Sequence, residues 1–257
     1  MNVLVLGGNG MLGPWVVAAL EGRHRLLVTD INDLKFKTGA EYRKVDAGNL
    51  RQVVAAAAGM DVIVNLSVLR QDRQLAFDVS TRGNYNMAVA AVTHGVRRLI
   101  NTGPHFQLAG PNYEDHDYDL SPDMPPQPGS RLYALTKALG QEILRVYSTR
   151  HDIYVQTLLF YNFYDPVTMR TPGGQQRIGV DLTPFSVAWQ DAGEAVRLAV
   201  EIELSRLPSR CETYNVFTDL PHGKFSNLKA RRQLGWQPRH FLEAAWTRRQ
   251  VDARGAD

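Results

Sequence analysis

The 257-residue sequence holds a single cysteine, Cys211. No disulfide framework, C-x-x-C redox pair or cysteine-rich zinc site can form within one such chain, so no metal is expected, and the composition suits a reducing cytoplasm. No apolar run approaches the ~20 residues of a membrane-spanning helix. The first strand signal begins at Val3, which leaves no room for a secretory leader ahead of it. An excess of one charge is also missing: 29 Lys and Arg against 26 Asp and Glu give a formal net charge of +3. Arginines thicken toward the C-terminus ("KARRQLGWQPRH", "TRRQ") and read as solvated helix faces. They lack the clustered basic stripe with interleaved aromatics that a nucleic-acid surface presents. Internal repeats and low-complexity tracts are absent. Membrane and nucleic acid are thereby set aside as partners.

What remains is an ordinary globular composition, 44% hydrophobic, with enough apolar residues for a sizeable core. Strand and helix signals alternate. Strands are expected at 3–6 ("VLVL"), 25–30, 41–46, 61–66, 97–102, 154–160 and 213–217. Helices are expected at 11–20, 49–59 with Asn49 as N-cap and Gly59 as stop, 75–94, 130–150, 189–204 and 226–238. Between them, "SPDMPPQP" (121–128) and "YNFYDPVTMRTPGGQQ" (161–176) read as loops. The β-α-β-α order predicts an α/β fold, a doubly wound parallel sheet.

The first strand runs into "GGNGMLG", with Gly7, Gly10 and Gly13 at G-x-x-G-x-x-G spacing. Glycine takes the positive φ of such a turn and lets backbone approach a pyrophosphate. The helix beginning near Met11 and Leu12 then aims its unpaired N–H groups at the phosphates. Asp30 ends the second strand. A carboxylate there accepts both hydroxyls of an adenosine ribose and repels a 2′-phosphate, which favours NAD over NADP. The alternative makes Asp30 a turn former before Asn32. Asp46, followed by Ala47 in "KVDAGN", has two readings: an acceptor for the adenine amino group, or an Asx turn into the next helix. "NLSV", with Leu66 and Ser67, ends the fourth strand at the edge where backbone passes a cofactor.

Tyr133 and Lys137 lie four apart in "LYALTKALGQ", one turn apart on one helix face. A phenol titrates near ~10 and needs that value lowered to move a proton at neutral pH; a neighbouring ammonium does so. The same lysine can hydrogen-bond the nicotinamide ribose.

These segments, with "FYNFYDP", "WQDAGEAVRLAVE" and "KARRQLGWQPR", resemble the extended short-chain dehydrogenase/reductase superfamily, in its NAD-dependent epimerase/dehydratase group. The short C-terminal part and "NTGPHFQLAGPNY" look similar to uronate dehydrogenases. The resemblance covers nearly the whole chain. It implies a Rossmann core over 1–160 and a segment over 161–257 that completes the sheet and forms a small substrate-capping lobe. It also implies bound NAD, and a sugar, sugar-acid or nucleotide-sugar substrate. Relatives often pair through the helices here at 75–94 and 131–150, so a homodimer is one expectation. Asn162 matches the residue that approaches both nicotinamide and substrate.

The chain departs from the pattern at several places. Gly103 stands where relatives carry a serine or threonine that bonds the reacting oxygen. Thr102 lies one residue early, and successive strand side chains face opposite ways; it serves if the strand has already ended there. His105 matches a histidine of uronate dehydrogenases; its other reading is a packing loop residue. Ser80 replaces an asparagine and Asp165 a glycine. The acid pair that sugar dehydratases add after the serine is missing, which argues against elimination. Arg170 is a candidate for a substrate carboxylate or phosphate, or a solvated loop arginine, with Gln175 nearby. Trp189 and Trp236 read as packing residues. Three functions follow: an NAD-dependent oxidoreductase with catalytic Tyr133, Lys137 and Thr102; a sugar epimerase on the same residues; or a dinucleotide-binding regulatory protein that has lost turnover.

Overall fold

The computed structural model describes residues 1–69, 72–104, 107–108, 120–168, 186–218 and 226–241. The first half runs β1 (Asn2–Leu6), α1 (Gly13–Leu20), β2 (Arg25–Asp30), β3 (Glu41–Lys44), α2 (Leu50–Ala56), β4 (Val62–Asn65), α3 (Arg73–Ala76), α4 (Gly83–His94) and β5 (Arg98–Pro104). Then come α5 (Leu132–Arg150), β6 (Tyr154–Phe160), β7 (Asn162–Tyr164), β8 (Ser186–Ala188), α6 (Trp189–Glu201), β9 (Cys211–Asn215) and α7 (Leu228–Leu234).

Seven strands form one sheet in the order β3-β2-β1-β4-β5-β6-β9. Every described pairing in it is parallel. Parallel strands covered on both faces bury nearly every side chain, and β1, β4 and β5 do. Alternate residues then feed two cores. Val3 and Val5 join α1 and α6 on one face; Leu4 and Leu6 join α2, α4 and α5 on the other. The strand order reverses between β1 and β4, and a doubly wound sheet binds ligand outside its carboxyl edge at such a point. β9, from the second half of the chain, closes the sheet beside β6.

Several boundaries differ from the sequence expectation. α1 starts at Gly13, not near Met11, because Pro14 lacks an N–H and is tolerated only in a first turn. α2 ends at Ala56, although Asn49 caps it as expected, accepting from Gln52 N–H at 3.2 Å. β9 sits two residues earlier than the apolar "TYNVF" suggests, since ladder pairing with β6 begins at Cys211. β7, expected as loop, pairs in parallel with β8 as a small second sheet. The expected helix at 75–94 is α3 and α4 joined through a π-helical turn, Phe77–Arg82.

Candidate active site

The glycine turn is built by close approach. Gly7 has φ +77°, and a Cβ on it would stand 2.6 Å from the Ser67 amide nitrogen. A Cβ on Gly13 would stand 1.8 Å from the Gly8 carbonyl oxygen, so only glycine lets α1 begin there. Asp30 faces this turn. Its carboxylate accepts from the Asn9 N–H at 3.0 Å and the Asn32 N–H at 3.3 Å, so it faces the glycine turn and also takes the turn-forming part. Asp46 is exposed and forms the Asx turn, accepting from the Gly48 N–H at 2.8 Å. Ala47 is buried behind it.

Tyr133 and Lys137 share one face of α5. Lys137 is 2% exposed, and its Nζ donates to the Ser67 carbonyl at 2.8 Å, reaching the end of β4 beside Gly7. A cavity of about 390 Å³ opens at this sheet edge. Gly10, Met11 and Leu12 line it from the turn, Leu66 from the end of β4, Tyr133 and Lys137 from α5, and Asn162 from β7. Thus half of the candidate site residues meet in one place, with Gly7, Gly13, Asp30, Asp46, Ala47 and Ser67 outside its lining. Among the described residues, neither the Met11 nor the Leu12 amide has a backbone acceptor, and a Cβ on Gly10 would crowd the Gly7 carbonyl at 3.1 Å. That bare cradle, with Asp30 beyond it, fits a dinucleotide pyrophosphate and ribose. His105, Arg170 and Gln175 lie outside the described residues.

The departures have physical causes. β5 continues through Pro104, so the strand has not ended at Thr102, which stands opposite Leu158 of β6. Thr102 lines the cavity, but its hydroxyl donates to the Asn65 carbonyl at 3.0 Å. A hydroxyl has one proton, and this one holds β4 to β5. The direction a side chain at Gly103 would take is filled: its Cβ would meet Gln107 Oε1 at 2.5 Å and Leu159 at 3.2 Å. Gln107 is fully buried and its amide donates to Gln141 of α5.

Ser80 is buried in the π-helical turn, and Asn84, unremarked in the sequence, makes the connections. Its amide donates to the Ser80 carbonyl at 2.8 Å; its oxygen accepts from Asn65 at 3.0 Å. Asn65 in turn accepts from the Ser67 N–H at 3.0 Å. This chain ties α4 to the segment that holds Lys137.

Residues the sequence reading missed also line the cavity: Arg131, Phe160, Tyr161 and Phe163. Arg131 carried one signal, its place just before the tyrosine helix. Phe163 stacks on Trp189, centroids 4.3 Å apart, and Trp189 on Trp15 at 6.4 Å, so the packing expected of Trp189 backs the cavity wall. Trp236 is fully buried, donating to the Asp191 carbonyl at 2.8 Å. Burial pushes the Tyr164 phenol up to about 12 and raises that of Tyr214 as well. Among the described residues no group of three or more His, Cys, Asp or Glu is placed to hold a metal, and no helix is long and apolar enough to cross a membrane.

A Rossmann-type sheet whose glycine turn and tyrosine–lysine helix open onto one cavity defines an NAD-dependent enzyme of short-chain dehydrogenase/reductase type. The chain belongs to the NAD dependent epimerase/dehydratase family, whose model matches residues 3–178. No curated protein sequence matches it. Among solved structures it is similar to uronate dehydrogenase from Agrobacterium tumefaciens (20% identity, 95% of this chain and 86% of that one, TM-score 0.77). It is also similar to glucuronic acid dehydrogenase from Chromohalobacter salexigens (18% identity, 95% and 86%, TM-score 0.77). A third is the UDP-glucose 4-epimerase of Thermus thermophilus in complex with NAD (21% identity, 93% and 94%, TM-score 0.72). Likeness at these identities concerns the fold.

Proposed function

We propose that this chain is an NAD-dependent oxidoreductase acting on a sugar or sugar acid. The observation that carries the reading is the meeting of Tyr133, Lys137 and Asn162 with the glycine turn in one cavity. Gly7, Gly10, Met11, Leu12 and Gly13 would hold the pyrophosphate and Asp30 the adenosine ribose, with NAD preferred over NADP. Asp46 and Ala47 would hold the adenine end. Leu66, Ser67, Lys137 and Asn162 would hold the nicotinamide end. The nicotinamide, when bound, supplies a hydride acceptor.

The chain's own residues do the rest. Tyr133 takes the proton of the substrate hydroxyl at its phenol oxygen. Lys137, its Nζ held on the Ser67 carbonyl, carries a cation one helical turn from the tyrosine on the same face. Thr102 serves as wall and strand tie. Phe160 and Phe163 supply an apolar surface that keeps water from the reacting carbon. His105 and Arg170 are further substrate contacts in this reading. The single cysteine accords with a reducing cytoplasm, and the exposed apolar faces of α4 and α5 with a homodimer.

Absorbance of reduced nicotinamide tests the reading. The protein is incubated with NAD, then NADP, against uronic acids, aldoses and nucleotide-sugars. NADH is expected with a free sugar or sugar acid, and Tyr133→Phe should lower turnover ~10²-fold or more while NAD binding survives. NAD bound with no NADH from any substrate would sink the oxidoreductase. An epimerised product in the same mixtures would then identify an epimerase, and none a binding protein.

A further inference from the structure

We propose that Arg131 selects an acidic sugar, pairing its guanidinium with a carboxylate on the substrate. The proposal rests on the oxidoreductase reading and narrows its substrate class. Among the described residues lining the cavity, Arg131 and Lys137 are the charged side chains; neither aspartate nor glutamate joins them. The two cations are not equivalent. Lys137 is buried, with its ammonium on the Ser67 carbonyl. Arg131 is exposed and, among the described residues, has no carboxylate partner.

Its backbone is nonetheless held. Arg131 is the N-cap of α5, extended at φ −67° and ψ 120°, and its carbonyl accepts from the Leu135 N–H at 2.9 Å. Its side chain makes no capping bond. The guanidinium therefore springs from a fixed point two residues before Tyr133 and has no structural duty among the described residues.

Part of the wall around it is apolar: Leu66, Val68, Pro104, Phe160 and Phe163. Apolar walls weaken the screening of a charge, so a substrate carboxylate gains there, and a neutral sugar leaves the cation unpaired. The planar fork of arginine matches a carboxylate with two parallel hydrogen bonds, which a lysine cannot reproduce. The anion must sit on the sugar itself, because the residue stands beside the tyrosine that meets the reacting carbon. A nucleotide diphosphate lies beyond that ring.

The test compares kcat/KM for galacturonate against galactose, glucuronate against glucose, and UDP-glucuronate against UDP-glucose. Wild type, Arg131→Gln and Arg131→Lys are used, with melting curves confirming each fold. Arg131→Gln should cut the acid-to-neutral ratio for the free sugars by about tenfold, the worth of one charge-assisted pair. Arg131→Lys should recover part of it. An unchanged ratio overturns the proposal. So does a loss confined to the UDP-sugars, which would place a phosphate at the arginine. If wild type reduces no NAD with any sugar, the oxidoreductase reading fails by itself. Calorimetry of galacturonate onto the NADH-loaded protein then judges the arginine: binding weakened about tenfold by Arg131→Gln supports it, and no binding by wild type overturns it.

Discussion

Gly103 shows how one position redirects a site. A missing serine suggests weakened chemistry when only the sequence is read. In the folded chain the space for that serine is occupied by the Gln107 carboxamide, which reaches back from the segment after β5 to Gln141. The glycine and the glutamine are therefore one arrangement. Restoring the serine alone should do harm: Gly103→Ser pushes Gln107 off Gln141 and should cost about 1–3 kcal/mol, read as a lower melting temperature. Gly103→Ser with Gln107→Ala should recover most of that loss. Equal melting of wild type and the single variant would show that the carboxamide moves aside freely. At the same scale, Asp46 makes the Asx turn, accepting from the Gly48 N–H.

Between elements, the contact of α5 with the π-helical turn sets the position of Lys137. A Cβ on Gly140 would lie 2.3 Å from the Asn84 amide nitrogen and 2.4 Å from the Ser80 carbonyl. Gly140 sits three residues after Lys137, so whatever pushes α5 outward there draws the ammonium from Ser67. The widened turn exposes the Ser80 carbonyl for Asn84; such turns are frequent at functional sites. Gly140→Ala should lower stability by about 1–3 kcal/mol. It should also slow turnover more than it weakens NAD binding, compared by steady-state rates and calorimetry. A variant as stable and active as wild type would remove the helix spacing from the account.

For the molecule as a whole, one face is apolar and exposed among the described residues. Leu75, Phe77, Tyr85 and Val92 on the bent helix, with Leu139 and Val146 on α5, are exposed. Each pair 85/92 and 139/146 is seven apart and shares a helix face. Single exposed apolar residues need no cause, but a set on two adjacent helices marks an interaction surface. A homodimer through this face is expected in sedimentation, with Leu139→Glu and Val146→Glu shifting it to monomer; a wild type that sediments as monomer at micromolar concentration removes it. Much of the rest was legible along the chain. The apolar runs of β1, β4 and β6, the glycines of the first turn, Asn49 and the Tyr133–Lys137 spacing each act within a few residues, so their physics is written where they stand. Other features depend on what lies across the sheet. The hydroxyl of Thr102 is spent on a residue of β4, and the gap at Gly103 is filled from a later segment. Arg131 becomes a cavity residue because α5 packs beside the ends of β4 and β5. Those pairings join positions tens of residues apart, and no local periodicity records them; only packing the helices onto a twisted sheet brings them within reach.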